Sequence, residues 1–232
     1  MSNFDKGVLI FILISFFISY LLLFFADKPT AVALSESSGF YNNLTGMEFL
    51  IASILLFITF WKVRRFNRPD IFGSLGSAFL LGLSFLSFMG FGEVMRWGQR
   101  IFHFPTPAWL HNANAQQEFD IHNLHGLQDN PWGVARWFSI FCLVYCCLIP
   151  YLDASHLRFS AWLKRIGLPV VPLWLGLCFL LAYGLSKAME YGGWLGQLSG
   201  KYIKECHFGL LFVFMAIFFL QKVMWESRKK AA

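Results

Sequence analysis

Charge is scarce in this 232-residue chain. Asp, Glu, Lys and Arg make up 14% of it, against roughly 25% in soluble domains, and a surface that thin in charge excludes a water-soluble globule. No Cys-x-x-Cys pairing, phosphate-cradling glycine loop, Cys-x-x-Cys-His or Gly-x-Ser-x-Gly is present. The metal-ribbon, nucleotide, c-type haem and serine-hydrolase readings therefore have no motif to stand on. Strict polar–apolar alternation is also missing, which argues against a transmembrane β-barrel. Of the five cysteines, Cys142, Cys146 and Cys147 share one apolar run, Cys178 lies in another, and Cys206 opens the last. Thiols in such places act mainly as small hydrophobes.

What the chain does have is apolar length. It is 57% apolar and 19% aromatic, and several runs approach or exceed the roughly 18 to 20 residues that cross a bilayer. The expected fold is all-α: a polytopic helical membrane protein with about six transmembrane helices. They form a single membrane domain over residues 1–232. The runs are 7–25, 47–61, 71–92, 135–151, 168–189 and 206–225. Ala31-Val32-Ala33 has the small-x-small pattern of a signal-peptide cleavage site. The first run is longer than an ordinary signal core, however, and Asp27-Lys28-Pro29 separates the two, so a retained first helix is expected. The third run is studded with Gly and Ser, as in helices whose backbones approach closely in lipid. Pro169 and Pro172 are expected in the first turn of the fifth helix, where proline is tolerated.

The net charge of +6 points to membrane topology rather than nucleic acid, because Lys and Arg cluster beside the apolar runs. With both termini cytoplasmic, Lys6, Lys62, Arg64, Arg65, Arg68, Arg158, Lys164, Arg165, Lys222, Arg228, Lys229 and Lys230 fall inside. Only seven of the 19 Lys and Arg residues then lie outside. A multi-pass protein of the bacterial cytoplasmic (inner) membrane is the expectation.

Polar residues concentrate in one place, the 93–134 segment. Glu93, Arg96, Gln99, Arg100, Asn114, Gln116, Glu118, Asp120, His122, Asn123 and His125 crowd there, with Trp97 and Trp109 among them. In the favoured topology this segment is extracytoplasmic, together with Glu190, Glu205 and His207. Ionisable groups at membrane depth are costly and mark functional sites.

Two local patterns carry chemistry, with an interfacial element between them. Glu93, Arg96 or Trp97, and Arg100 recur at helical spacing, so one face would pair a carboxylate with two guanidiniums, as a substrate clamp or as a structural cap. Glu118, His122 and His125 also fall on one helical face. With His207 as a third imidazole, they would hold a divalent metal such as zinc or iron, or supply an acid and a base. Glu190 and Glu205 would be further ligands or simply loop charges. Phe102-His103-Phe104-Pro105-Thr106-Pro107-Ala108-Trp109-Leu110 reads as a hairpin or re-entrant element at the headgroup level.

Glu93-x-x-x-Trp97-Gly98-Gln99-Arg100-Ile101-Phe102, then Thr106-Pro107, then Asn114-x-Gln116-x-Glu118-x-x-Ile121-His122-Asn123, resembles a signature of a poorly characterised family of bacterial polytopic membrane proteins. The resemblance covers about 30 residues. Members often read Glu-Glu-Ile-Ser-Trp where this chain has Glu93-Val94-Met95-Arg96-Trp97, so the second carboxylate of that pair is absent. The resemblance implies a site without naming a reaction.

The leading expectation is a hydrolase or transferase acting on a lipid or lipid-linked headgroup. Glu93, Glu118 and His122 would be its catalytic groups. Arg96, Trp97, Gln99, Arg100, Asn114, Gln116 and Asn123 would bind substrate, with Arg100 clamping phosphate. The alternative is a non-catalytic binding or transport protein, or an accessory subunit docking membrane protein partners.

Overall fold

The computed structural model describes the chain apart from residues 36–38, 66–71, 73, 116, 122–123, 126–132, 193–195 and 230–232. It is all-helical, and six helices are long and apolar enough to cross a membrane. Five of these are α1 (Asn3–Phe25), α3 (Phe40–Arg65), α4 (Ser74–Val94), α10 (Leu173–Gly192) and α11 (Gly196–Lys229). The remaining span runs through α7 (Val134–Phe141), a π-helical stretch Cys142–Leu148 and α8 (Ile149–Ser155). Shorter helices are α2 (Lys28–Ser35), α5 (Gln99–Phe102), α6 (Ala108–Ala113) and α9 (Leu157–Ile166).

The long helix α11 is the hub. Its buried residues Phe208, Leu211, Phe212, Met215, Ala216, Phe219 and Val223 recur every three or four positions, the helical period. This stripe packs against α3 and α10 through interlocked rings. Phe212 meets Phe138 at 5.8 Å and Phe49 at 5.6 Å, and Phe208 meets Phe179 at 5.5 Å. Lipid is as apolar as these side chains, so ring-to-ring dispersion holds the helices together. Between α3 and α4, Ser53 and Ser84 each donate a hydroxyl to the other's backbone carbonyl at 2.9 Å. The crowding expected of the Gly/Ser-rich run is found on this side, whereas Gly82 faces open space.

Several boundaries differ from expectation for identifiable reasons. The fifth spanning helix starts at Leu173, after Pro169 and Pro172 rather than around them. Each proline pushes its predecessor out of the helical region, and the Pro172 carbonyl instead accepts the first turn's N–H from Leu175. The fourth span does not stop at Pro150. Proline lacks an N–H and its ring collides with the carbonyl four residues back. The preceding turn widens, so that Ile149 N–H reaches Val144 O, and the helix continues to Ser155. The Cys146 carbonyl then faces Gly176, where a methyl would lie only 2.3 Å from its oxygen. Finally, α3 begins two turns earlier than expected and α11 nearly three. Asn42, Lys201, Tyr202, Lys204 and Glu205 are thereby helical, and Glu48 moves from the first turn of its helix to the third.

Candidate functional site at the polar end of the bundle

Helix α4 ends abruptly at Val94 because three consecutive residues take left-handed backbone angles: Arg96 (φ 50°), Trp97 (φ 50°) and Gly98 (φ 89°). Only glycine does this without strain; the other two cost of the order of 1 kcal/mol or more each. The Trp97 indole offsets that cost. It folds back onto α4 at Gly92, where a methyl would sit 2.9 Å from the ring. Its Nε1–H donates to Glu93 Oε1 at 2.8 Å. Glu93 Oε2 in turn accepts the backbone N–H of Ile121 at 2.9 Å, joining the helix end to a loop 28 residues away.

The expected helical face of Glu93, Arg96 and Arg100 is therefore not formed. Arg96 turns instead to Glu118, with Nη2 2.6 Å from Oε1 and both side chains roughly a fifth exposed. The expected helical face of Glu118, His122 and His125 is not formed either. Among the described residues, 114–125 is a loop closed by an isolated antiparallel bridge between Asn114 and Leu124. Asn114, almost fully buried, donates its amide to the Asp120 carbonyl at 2.8 Å and to the Asp120 carboxylate at 2.9 Å. Asn and Asp side chains that bond nearby backbone in this way compete with helix. Gln117 adds a further left-handed residue (φ 59°).

Gln99 is the bolt across this loop. Its Nε2 donates to Phe104 O (3.2 Å) and Thr106 Oγ1 (2.8 Å), and its Oε1 accepts Phe119 N–H (2.9 Å). Thr106 passes the chain on by donating to Gln117 O at 2.8 Å. The expected hairpin is a folded-back segment in which Phe102 and Trp109 are 75% and 71% exposed, as suits rings at a membrane interface.

Of the expected substrate-binding residues, Trp97, Gln99 and Asn114 thus direct polar groups into the segment itself. Gln116, Asn123 and His122 lie outside the described residues. Arg100 is different. Its Nε and Nη1 are buried and have no hydrogen-bond partner among the described residues. Burial, and then the like charge of Arg96, lower its pKa; Glu118, Tyr202 and Asp120 oppose that shift. A buried guanidinium with unmet donors is costly, and an anion reaching it would meet them.

Arg96 and Arg100 stand between two cavities. One, of about 500 Å³, is lined by Asn43, Gln99, His103 and Phe104 besides the two arginines. The other, of about 370 Å³, is amphipathic. Glu93, Glu118, Asp120, Lys201, Tyr202, Lys204 and Glu205 rim it with the arginines, and Phe49, Leu86, Met89, Phe138 and Phe208 supply an apolar wall. Of the polar α11 contributors only Glu205 is a candidate from sequence; Lys201, Tyr202 and Lys204 are not, because 190–205 looks like a polar loop. The spacing of Lys201, Lys204 and Glu205 is the one signal that they share a helix.

The expected metal set is not assembled from described residues. His125 is exposed on the loop, and its backbone N–H donates to Ala113 O. His207 is buried against α1, stacked on Phe16 at 4.0 Å. Glu190 pairs with Lys187 on α10. Among the described residues, no group of three or more His, Cys, Asp or Glu side chains is placed to hold a metal ion. No family model, curated protein or solved structure matches this chain.

Proposed function

We propose that this protein binds an anionic lipid or lipid-linked molecule by its phosphate-bearing headgroup, in the amphipathic cavity at the extracytoplasmic face of a bacterial inner membrane. The observation that carries the reading is Arg100, whose buried Nε and Nη1 lack partners among the described residues. Guanidinium donors form short, charge-assisted bonds to phosphate oxygens. Lys201 and Lys204 add positive charge at the rim, while the apolar wall suits the first methylenes of an acyl or prenyl chain. The distribution of Lys and Arg along the chain supports the orientation.

A hydrolase or transferase acting on that headgroup is a second reading, favoured by Glu93 and Glu118 lining the same cavity as Arg100. One of them, or His122, would then take the proton of the attacking group. Binding stands first because both Glu93 oxygens already hold donors and Glu118 is paired with Arg96. The binding reading serves a transporter or an accessory subunit equally well.

The test is native mass spectrometry of the detergent-purified protein with phosphatidylglycerol, phosphatidylcholine and diacylglycerol. Preferential retention of the anionic phospholipid is expected; equal retention of all three contradicts the proposal. Release of free headgroup during incubation would move the enzyme reading ahead.

A further inference from the structure

Below the headgroup cavity, α1, α3 and α11 enclose polar groups that a bilayer interior does not otherwise accept. Glu48 on α3 is only 7% exposed. Its Oε1 lies 4.0 Å from the Cys206 thiol of α11, the Leu210 backbone N–H also approaches the carboxyl group, and its Oε2 is buried with no hydrogen bond of normal geometry among the described residues. The carboxyl group occupies the space beside Gly209 of α11, where a methyl would sit 2.6 Å from Oε2. Tyr41 and Thr45, both buried, share its face of α3 on the preceding turns. On the neighbouring side of α11, His207 lies 5.5 Å from the Tyr20 ring of α1, and its two ring nitrogens and the Tyr20 hydroxyl also have no hydrogen-bond partner among the described residues. No described Lys or Arg forms an ion pair with Glu48.

A bare carboxylate in this place would be strongly disfavoured by the loss of its hydration, whereas the neutral acid is a tolerable buried group. Glu48 also adjoins, along the chain, residues that line the amphipathic cavity. Phe49 and Phe208, the chain neighbours of Glu48 and Gly209, line the headgroup cavity, as does Glu205 beside Cys206. We infer that Glu48 is a reversible proton-binding site in the membrane interior, exchanging its proton with the headgroup cavity. Taking up one proton converts the carboxylate to the acid, and releasing it reverses the step; no other bond changes. The site stands apart from Arg100 and does not depend on the headgroup proposal.

The test is modification of the full chain in detergent by the hydrophobic reagent dicyclohexylcarbodiimide, which adds to protonated carboxyl groups in apolar surroundings, with peptide mapping by mass spectrometry. An adduct at Glu48 is expected. It should be absent in Glu48→Gln and fall steeply as the pH is raised, by about tenfold per pH unit beyond the midpoint. Sodium ions should leave it unchanged. No adduct at Glu48, an adduct indifferent to pH, or protection by sodium, which would make this a metal-cation site, would each overturn the inference. Elution of Glu48→Gln as a monodisperse species checks its fold. If it aggregates, Glu48→Asp replaces it as the control, because its shorter acid retreats from Gly209 and should label less.

Discussion

At one end of the bundle the backbones of α4 and α9 meet through Gly76 and Gly167, where even a methyl group would lie 1.9 Å from a carbonyl oxygen. At the other end, Arg96 and Arg100 stand between two cavities, and the chain around them is held by side-chain hydrogen bonds to backbone. The first arrangement leaves room for nothing else. The second keeps a space open and surrounds it with charge at a cost in backbone strain, concentrated in the left-handed residues between 96 and 117. Strain of this kind collects where a ligand or a moving part needs it. The comparison separates what holds the bundle from what serves the proposed site.

Substitutions should respect that separation. The largest loss of stability is expected from Gly76→Val, which forces the close approach apart at about 3 kcal/mol. Thermal unfolding in detergent should show a clear fall in midpoint, with lipid retention per folded molecule unchanged. Glu93→Ala comes next, because it leaves the part-buried Trp97 indole N–H without its acceptor and releases the Ile121 amide to water, at about 1–2 kcal/mol. Hydrogen exchange should then accelerate around Ile121 while the α10 and α11 amides stay protected. Gln99→Ala should cost about 1 kcal/mol, loosening Phe119 and Thr106 without moving the bundle's unfolding midpoint appreciably. If Gln99→Ala unfolded the bundle as readily as Gly76→Val, the division into a holding end and a serving end would be wrong.

The apolar frame was legible because a bilayer imposes length, and length is visible in the residues of 7–25 or 206–225 without any tertiary knowledge. Helix ends were not. The polar stretch before Cys206 resembles a loop by composition, yet it continues the helical register of the apolar run that follows it. At the site, the right residues stood out but in the wrong geometry. Spacing from Glu93 to Arg100 invited a helix, whereas Gly98 marked the break and Gly92 made the landing place for Trp97. Asp120 likewise marks a turn inside the expected Glu118–His125 helical face, held by Asn114 just before it. By composition Glu48 stands at the edge of the 47–61 run, and only the helix start at Phe40 carries it into the bundle. Arg100 could be nominated from sequence, but its unmet donors could only be seen in three dimensions.

The most direct measurement is the affinity of phosphatidylglycerol for the wild type and for Arg100→Ala, titrated in the same detergent. Removing a half-buried guanidinium, two of whose nitrogens lack partners among the described residues, should leave the unfolding midpoint unchanged or slightly raised. Loss of the charge-assisted bonds, worth about 1.5–3 kcal/mol, should weaken binding by tenfold or more. Equal affinity of the two folded proteins would contradict the account, because the headgroup would then be held by something other than the group on which the proposal rests.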